Sequence, residues 1–214
     1  IYLNGFTQFE AQPLANGITV LEGDSGAVLK AILSWTDGQP FLTQKLCQLA
    51  ISSSQGAASQ PLTIPPGNEG YWVDSLVQSR IVDRWESQDE PEHLRTIRNR
   101  ILNTPESAGR LLSIYQRAHE GEVVADDSRE QIELVLSGLV SKKEGKLCVK
   151  NRIYAEIFDL AWVKHQLNQL RPYAQQFDSW VASQKTDESR LLRGQALKDA
   201  QLWSQGKQLS DLDY

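Results

Sequence analysis

Methionine is missing altogether from these 214 residues, and cysteine occurs only twice. With Ile1 at its head and no methionine anywhere, the chain reads as a piece of something longer, so the question becomes what part it plays. Cys47 and Cys148 lie far apart, each in an apolar pattern, and are expected as buried free thiols in a reducing cytoplasm. No apolar run approaches the roughly 18 residues of a membrane span. The opening Ile1-Tyr2-Leu3-Asn4-Gly5 lacks the charged-then-apolar order of a secretory leader. An excess of positive charge is lacking too. The formal net charge is −5 and the isoelectric point about 5.3, against the basic footprint of a nucleic-acid binder.

The usual catalytic patterns are also missing. There is no Cys-x-x-Cys and no His-Glu-x-x-His, so a metal site is not expected. His93, His119 and His165 are scattered through charged helical stretches and read as surface histidines. Neither Gly-x-x-x-x-Gly-Lys-Ser/Thr nor Gly-x-Gly-x-x-Gly occurs, so the chain alone should not hydrolyse a nucleotide. The acid pairs Asp89-Glu90 and Asp126-Asp127 stand where helices begin, and favourable interaction with the helix dipole explains them without acid–base chemistry. No base is indicated beside either thiol. No internal repeat of 20 to 50 residues is found.

What is present is mostly helical periodicity. Residues 1–9 are short and partly β-like, and Glu10 to Ile18 reads as a short helix. Val28, Leu29, Ile32 and Leu33 mark one helical face, and Leu42, Leu46, Leu49 and Ala50 another. Between them stands Asp37-Gly38-Gln39-Pro40, a stop and an immediate restart. Glycine permits the turn and proline fixes φ at the first helical position. Residues 52–70, with three serines in a row and Pro61, Pro65 and Pro66, read as a flexible linker. A helix is expected from Trp72 to Trp85. Further helices are expected from Pro91 to Asn103 and from Pro105 to His119, each with a polar residue before its proline. Another begins at Ser128, where Ser128 and Gln131 fit a capping box, with Ile132, Leu136 and Leu139 as its apolar positions. Leu139 to Val149 then reads as strand, Glu144-Gly145 turn, strand. Three helices and a hairpin make a winged helix-turn-helix pattern. Asn151 to Asp159, Trp162 to Leu170, Tyr173 to Ala182 and Glu188 to Gly206 complete the helices. The fold expectation is therefore mainly α: a small helical subdomain over 1–51, a linker over 52–70, a winged helix over 71–160 and a helical connector over 161–214.

The helix before the hairpin opens Asp126-Asp127-Ser128-Arg129-Glu130-Gln131-Ile132-Glu133. Four acids against one arginine suit a polyanion poorly. The hairpin itself is basic, with Lys142, Lys143, Lys146 and Lys150, but a solvated hairpin needs such residues anyway. Protein packing is favoured over DNA reading.

Long phrases carry a resemblance to a family. "AILSWTDGQPFLTQKLCQL", "RIVDRWESQDEPEHLRTIRNRIL", "GKLCVKNRIYAEIF" and "DESRLLRGQALKDAQLWSQGKQLSDLDY" resemble, in order, the rear half of the AAA-like, STAND-type P-loop ATPase domain of cyanobacterial multidomain signalling proteins. The resemblance covers nearly the whole chain and spares only the linker. It implies a helical lid, a winged helix and a connector, following an upstream core that carries the P-loop and binds ATP or ADP. Effector or sensor modules such as β-propeller repeats often follow such a connector. It also implies that Gly38, Gln39 and Pro40 form the lid motif whose proline packs near the adenine. The function implied is that of a cytoplasmic, non-catalytic regulatory segment coupling nucleotide state to conformational change and protein interaction, with homo-oligomerisation as a further partner expectation. The alternatives are a winged-helix DNA-binding transcription regulator and a stand-alone protein-interaction module.

Overall fold

The computed structural model describes residues 5–18, 23–54 and 64–213. The β-like opening at Ile1–Leu3 and residues 55–63 of the expected linker lie outside them, while its ends, Ser52–Ser54 and Glu69–Gly70, belong to helices. In chain order the helices are α1 (Gln8–Ala15), α2 (Ser25–Thr36), α3 (Pro40–Ser54), α4 (Glu69–Val77), α5 (Trp85–Gln88), α6 (Leu94–Leu102), α7 (Ala108–His119) and α8 (Arg129–Ser137). The strands β1 (Val140–Lys143) and β2 (Lys146–Val149) follow, then α9 (Arg152–Ile157), α10 (Leu160–Leu170), α11 (Ala174–Ala182) and α12 (Gly194–Ser204). The chain is thus mainly α-helical with one small antiparallel hairpin. It forms two compact units, each assembled from separated stretches: residues 1–94 with 150–157, and residues 95–149 with 158–214.

In the first unit, Thr7 and Glu10 close a reciprocal capping box at the start of α1. The Glu10 N–H donates to Thr7 Oγ1 (3.3 Å) and the Thr7 N–H to Glu10 Oε2 (2.9 Å). Val28, Leu29, Ile32 and Trp35 of α2 are buried, as are Leu42, Leu46 and Ala50 of α3 and Val73, Leu76 and Val77 of α4. Ile153, Tyr154 and Ile157 of α9 are buried as well. Each large side chain so buried contributes about 1.5–3 kcal/mol. The buried Trp35 indole keeps a partner, donating to Asp74 Oδ1 at 2.7 Å. The single helix expected from Trp72 to Trp85 is interrupted. Past α4 the chain makes one π-helical turn, Gln78–Val82, then extends at Asp83 and turns left-handed at Arg84 (φ 60°) before α5.

The second unit is organised around α7, whose Ala108, Leu111, Leu112, Ile114, Tyr115 and Ala118 are all buried. It packs against α8, β2 and α10. The hairpin pairs Val140 with Val149 and Lys143 with Lys146. Glu144 (φ 50°) and Gly145 (φ 75°) make the turn, and two positive φ values in a row match the right-handed twist of the strands. Val124 adds an isolated antiparallel bridge to Lys146.

Residues 208–213 return onto this unit. The Gln208 N–H donates to Glu106 O (2.6 Å), the Asp211 N–H to Ser113 Oγ (3.3 Å), and Arg110 and Arg117 both pair with Asp211. Arg171 grips Asp213 with two bonds of 2.7 and 2.9 Å, both side chains under 5% exposed. Ser210 and Tyr173 donate to the same carboxylate at 2.6 and 3.2 Å. The Arg171 guanidinium lies 4.0 Å over the Phe177 ring.

Three helix starts differ from expectation. The helices assigned to Pro91 and Pro105 begin at Leu94 and Ala108, three residues later. In the second case a turn intervenes, with the Ser107 and Ala108 N–H groups both donating to Thr104 O. In the first, the His93 N–H donates to Asp89 Oδ2 (3.0 Å). The helix expected from Glu188 to Gly206 is split into a 3-10 turn, Glu188–Arg190, and α12. Asp187 caps the turn and Leu191 is extended. Leu191 is therefore outside any helix and 45% exposed.

Candidate functional site

The corner between α2 and α3 is built as the sequence requires. Asp37 leaves α2 left-handed (φ 49°), its N–H donating to Leu33 O, and Gly38 follows at φ 69°. Gln39 then caps α3. Its backbone carbonyl accepts from the Thr43 N–H (2.9 Å) and its side-chain Oε1 from the Leu42 N–H (2.6 Å), with Pro40 at the first helical position. Thr36 and Thr43 share a buried hydroxyl–hydroxyl bond of 2.8 Å beneath the corner. Gly38 is buried, Gln39 half-buried and Pro40 exposed.

A second chain segment explains why residue 38 is glycine. The Phe6 N–H donates to Gly38 O at 2.7 Å. A Cβ on Gly38 would lie 2.6 Å from Phe6 N and nearer still to Phe6 O. A Cβ on Gly5 would lie 2.9 Å from Gly38 C and nearer to Asp37 O. Two stretches of backbone meet here face to face, and a methyl group on either side would separate them. The sequence reading predicted the turn but missed this closure.

Beside Pro40, the Phe41 ring stacks on His93 with centroids 4.6 Å apart, and His93 Nε2 shares a 2.7 Å bond with the Tyr154 hydroxyl. His93 is therefore packed between α3 and α9 rather than a surface histidine, while His165 is exposed as expected. Lys45 lies 5.8 Å over the Phe41 ring. Burial lowers its ammonium pKa, against the opposing charges of Asp89 and Glu90. Both cysteines are free thiols. Cys47 is buried, which pushes its pKa up to about 11, whereas Cys148 is half-buried.

The helix α8 departs from expectation in its phase. Gln131, Leu134 and Ser137 face the core, while Ile132 is 44% and Leu136 72% exposed. The capping box at Ser128 and Gln131 does not form, because the Gln131 amide is used elsewhere. Its Nε2 donates to Val124 O (2.9 Å) and its Oε1 accepts from the Asp126 N–H (3.1 Å). Two bonds to backbone groups offset the cost of burying the amide and turn the apolar pair outward. Asp127 pairs with Lys142 of the hairpin, and Lys146 reaches Gly121 O at 3.5 Å. The Ser128 backbone N–H, its hydroxyl and Lys142 hold the Asp126 carboxyl below the ordinary carboxylate range.

Alongside α8 lies a cleft of about 330 Å³ lined by Glu106, Ser107, Arg129, Glu130, Glu133 and Gln208, among others. Ser107 Oγ is shielded from solvent and has no hydrogen-bond partner among the described residues. An apolar hollow of about 440 Å³ lies between α11 and α12. Its charged groups Arg190 and Asp213 are already paired, with Asp187 and Arg171. Among the described residues no cluster of three or more His, Cys, Asp or Glu is arranged to hold a metal, and no helix is long and apolar enough to cross a membrane.

No family model matches the chain, and no solved structure matches it. Over its whole length it is 44% identical to part of an uncharacterized WD repeat-containing protein of Synechocystis sp., and it spans 18% of that relative's length.

Proposed function

We propose that this chain is a non-catalytic protein-interaction module within a larger multidomain protein, and that α6, α7, α8 and the hairpin act as a winged helix that contacts protein rather than DNA. The outward face of α8 carries this reading. A helix that reads base edges offers Arg, Lys, Asn or Gln. Here Gln131 is buried, and the face shows Ile132 and Leu136 beside Glu130 and Glu133. Two of the hairpin lysines are engaged within the unit, with Asp127 and Gly121. Similarity to 18% of a WD repeat-containing protein supports a setting among other domains.

The test is titration of the chain, at near-physiological salt, with the separately produced remaining portions of the Synechocystis relative and with a random-sequence DNA duplex. One protein portion is expected to bind, and Leu136→Ser to weaken it about tenfold. DNA binding tighter than the roughly 10⁻⁴–10⁻⁶ M of non-specific contacts, with neither protein portion bound, overturns the proposal.

The exposed Pro40 ring on a glycine-fixed corner favours a second reading. The chain is then the regulatory rear portion of a STAND-type, AAA-like ATPase, with Gly38, Gln39 and Pro40 against the adenine of ATP or ADP held by an upstream P-loop core. In a protein carrying that core, Pro40→Ala weakens ADP binding about tenfold. Unchanged ADP affinity ends this reading.

A further inference from the structure

We infer that the α8 face receives a basic amphipathic helix of a partner protein. This rests on the protein-contact reading given above and adds the chemistry of the partner. Ile132 and Leu136 are four residues apart, so their side chains stand one above the other on a single helical row. Two large apolar groups so spaced match the i, i+3/i+4 anchors of a helix laid along a groove. The charge beside them is mixed on one side, where Arg100 donates to Leu136 O at 3.3 Å, and mainly negative on the other. Glu106, Glu130 and Glu133 line the adjoining cleft against Arg129 alone, three carboxylates to one guanidinium.

The acceptors in that cleft fit a cation. A lysine ammonium or an arginine guanidinium carries only donors, and the cleft is lined by the carboxylates of Glu106, Glu130 and Glu133. A phosphate or an acidic side chain there would meet three like charges. Glu133 is next to Ile132 and three residues before Leu136, so the apolar row and the acidic cleft run side by side along one helix. A partner helix with an apolar stripe flanked by lysine or arginine satisfies both together.

The probe is a fluorescein-labelled peptide of leucine and lysine patterned as an amphipathic helix, compared with a leucine–glutamate peptide of the same apolar face. Binding is read by anisotropy. Because the chain is acidic overall, the decisive comparison is between variants: Glu130→Gln/Glu133→Gln and Leu136→Ser on the face, and Glu156→Gln/Glu188→Gln at exposed positions off this cleft. Both changes on the face are expected to weaken the lysine peptide about tenfold, the pair that does not line the cleft to leave it unchanged, and the glutamate peptide not to bind. Lysine-peptide binding that ignores Glu130→Gln/Glu133→Gln overturns the inference. If Leu136→Ser weakens both peptides alike, the basic partner is wrong while the protein-contact reading stands. If neither peptide responds to any α8 change, both fall. Self-association of the chain that Leu136→Ser abolishes, seen by sedimentation without peptide, overturns it in favour of a second copy.

Discussion

The two units close their chains by opposite means. In the first, the segment at Gly5-Phe6 meets the Gly38 corner through bare backbone, and the contact depends on atoms that are not there. In the second, residues 208–213 are held by side chains, above all the buried Arg171–Asp213 pair with Ser210 and Tyr173 around it. A contact made by close approach tolerates no added atom but is indifferent to charge. A contact made by ionised groups tolerates changes of shape better, and answers to charge and pH.

Gly38→Ala tests the first joint most severely. It combines a backbone conformation unfavourable to any side chain with a clash against backbone, and is expected to cost about 4 kcal/mol, measured by urea unfolding. Gly5→Ala meets the clash without a positive φ and should cost about 2 kcal/mol. If Gly38→Ala is as mild as a surface change, the close approach is not what fixes the corner.

Asp213→Ala breaks the second joint and strands a buried guanidinium, at an expected cost of about 3 kcal/mol. Replacing both partners, as Arg171→Met with Asp213→Leu, is expected to recover most of that loss, again read from unfolding. No such rescue exists for Gly38.

The pH response separates the joints further. Burial first, then the Asp213 charge, pushes the Tyr173 hydroxyl up to about 12 from its ordinary 10.0. Its folded pKa lies above its unfolded one. The stability it contributes is therefore whole below pH 10 and is lost as pH rises through 12. Unfolding midpoints measured across that window should fall less steeply in Tyr173→Phe than in the unaltered chain, while Gly38→Ala follows the unaltered chain in parallel.

The smallest effect is on the thiols. Cys47, buried with its pKa pushed up to about 11, should resist alkylation at pH 8 in the native state, and Cys148 should react faster. Equal rates would mean that the α3 face opens readily.

Much of the helical plan could be read from residues 1–214, because apolar periodicity and Gly/Pro punctuation are local signals. The Glu144-Gly145 turn and the helix restart at Pro40 are of that kind. The phase of α8 was not legible. A side-chain amide at Gln131 that finds two backbone partners is preferred inside over Ile132, and those partners, Val124 and Asp126, are supplied by the loop before the helix. Hydropathy alone ranks the two residues the other way. The starts after Pro91 and Pro105 failed for a related reason: proline is as much at home in the turn preceding a helix as in the first helical turn. The Gly5–Gly38 closure joins residues more than thirty apart, and nothing in a glycine announces which other glycine it will face.

The docking of residues 208–213 also sets a schedule for synthesis. The first unit has all its parts once residue 157 has left the ribosome. The second has its central helix early, yet the groups that close over α7 and α10 are the last of that unit to be made. At about 5–20 residues per second, several seconds separate the two completions. During that interval the Arg171 guanidinium waits without its carboxylate, and a nascent chain halted short of residue 208 should hold a finished first unit beside an open second one.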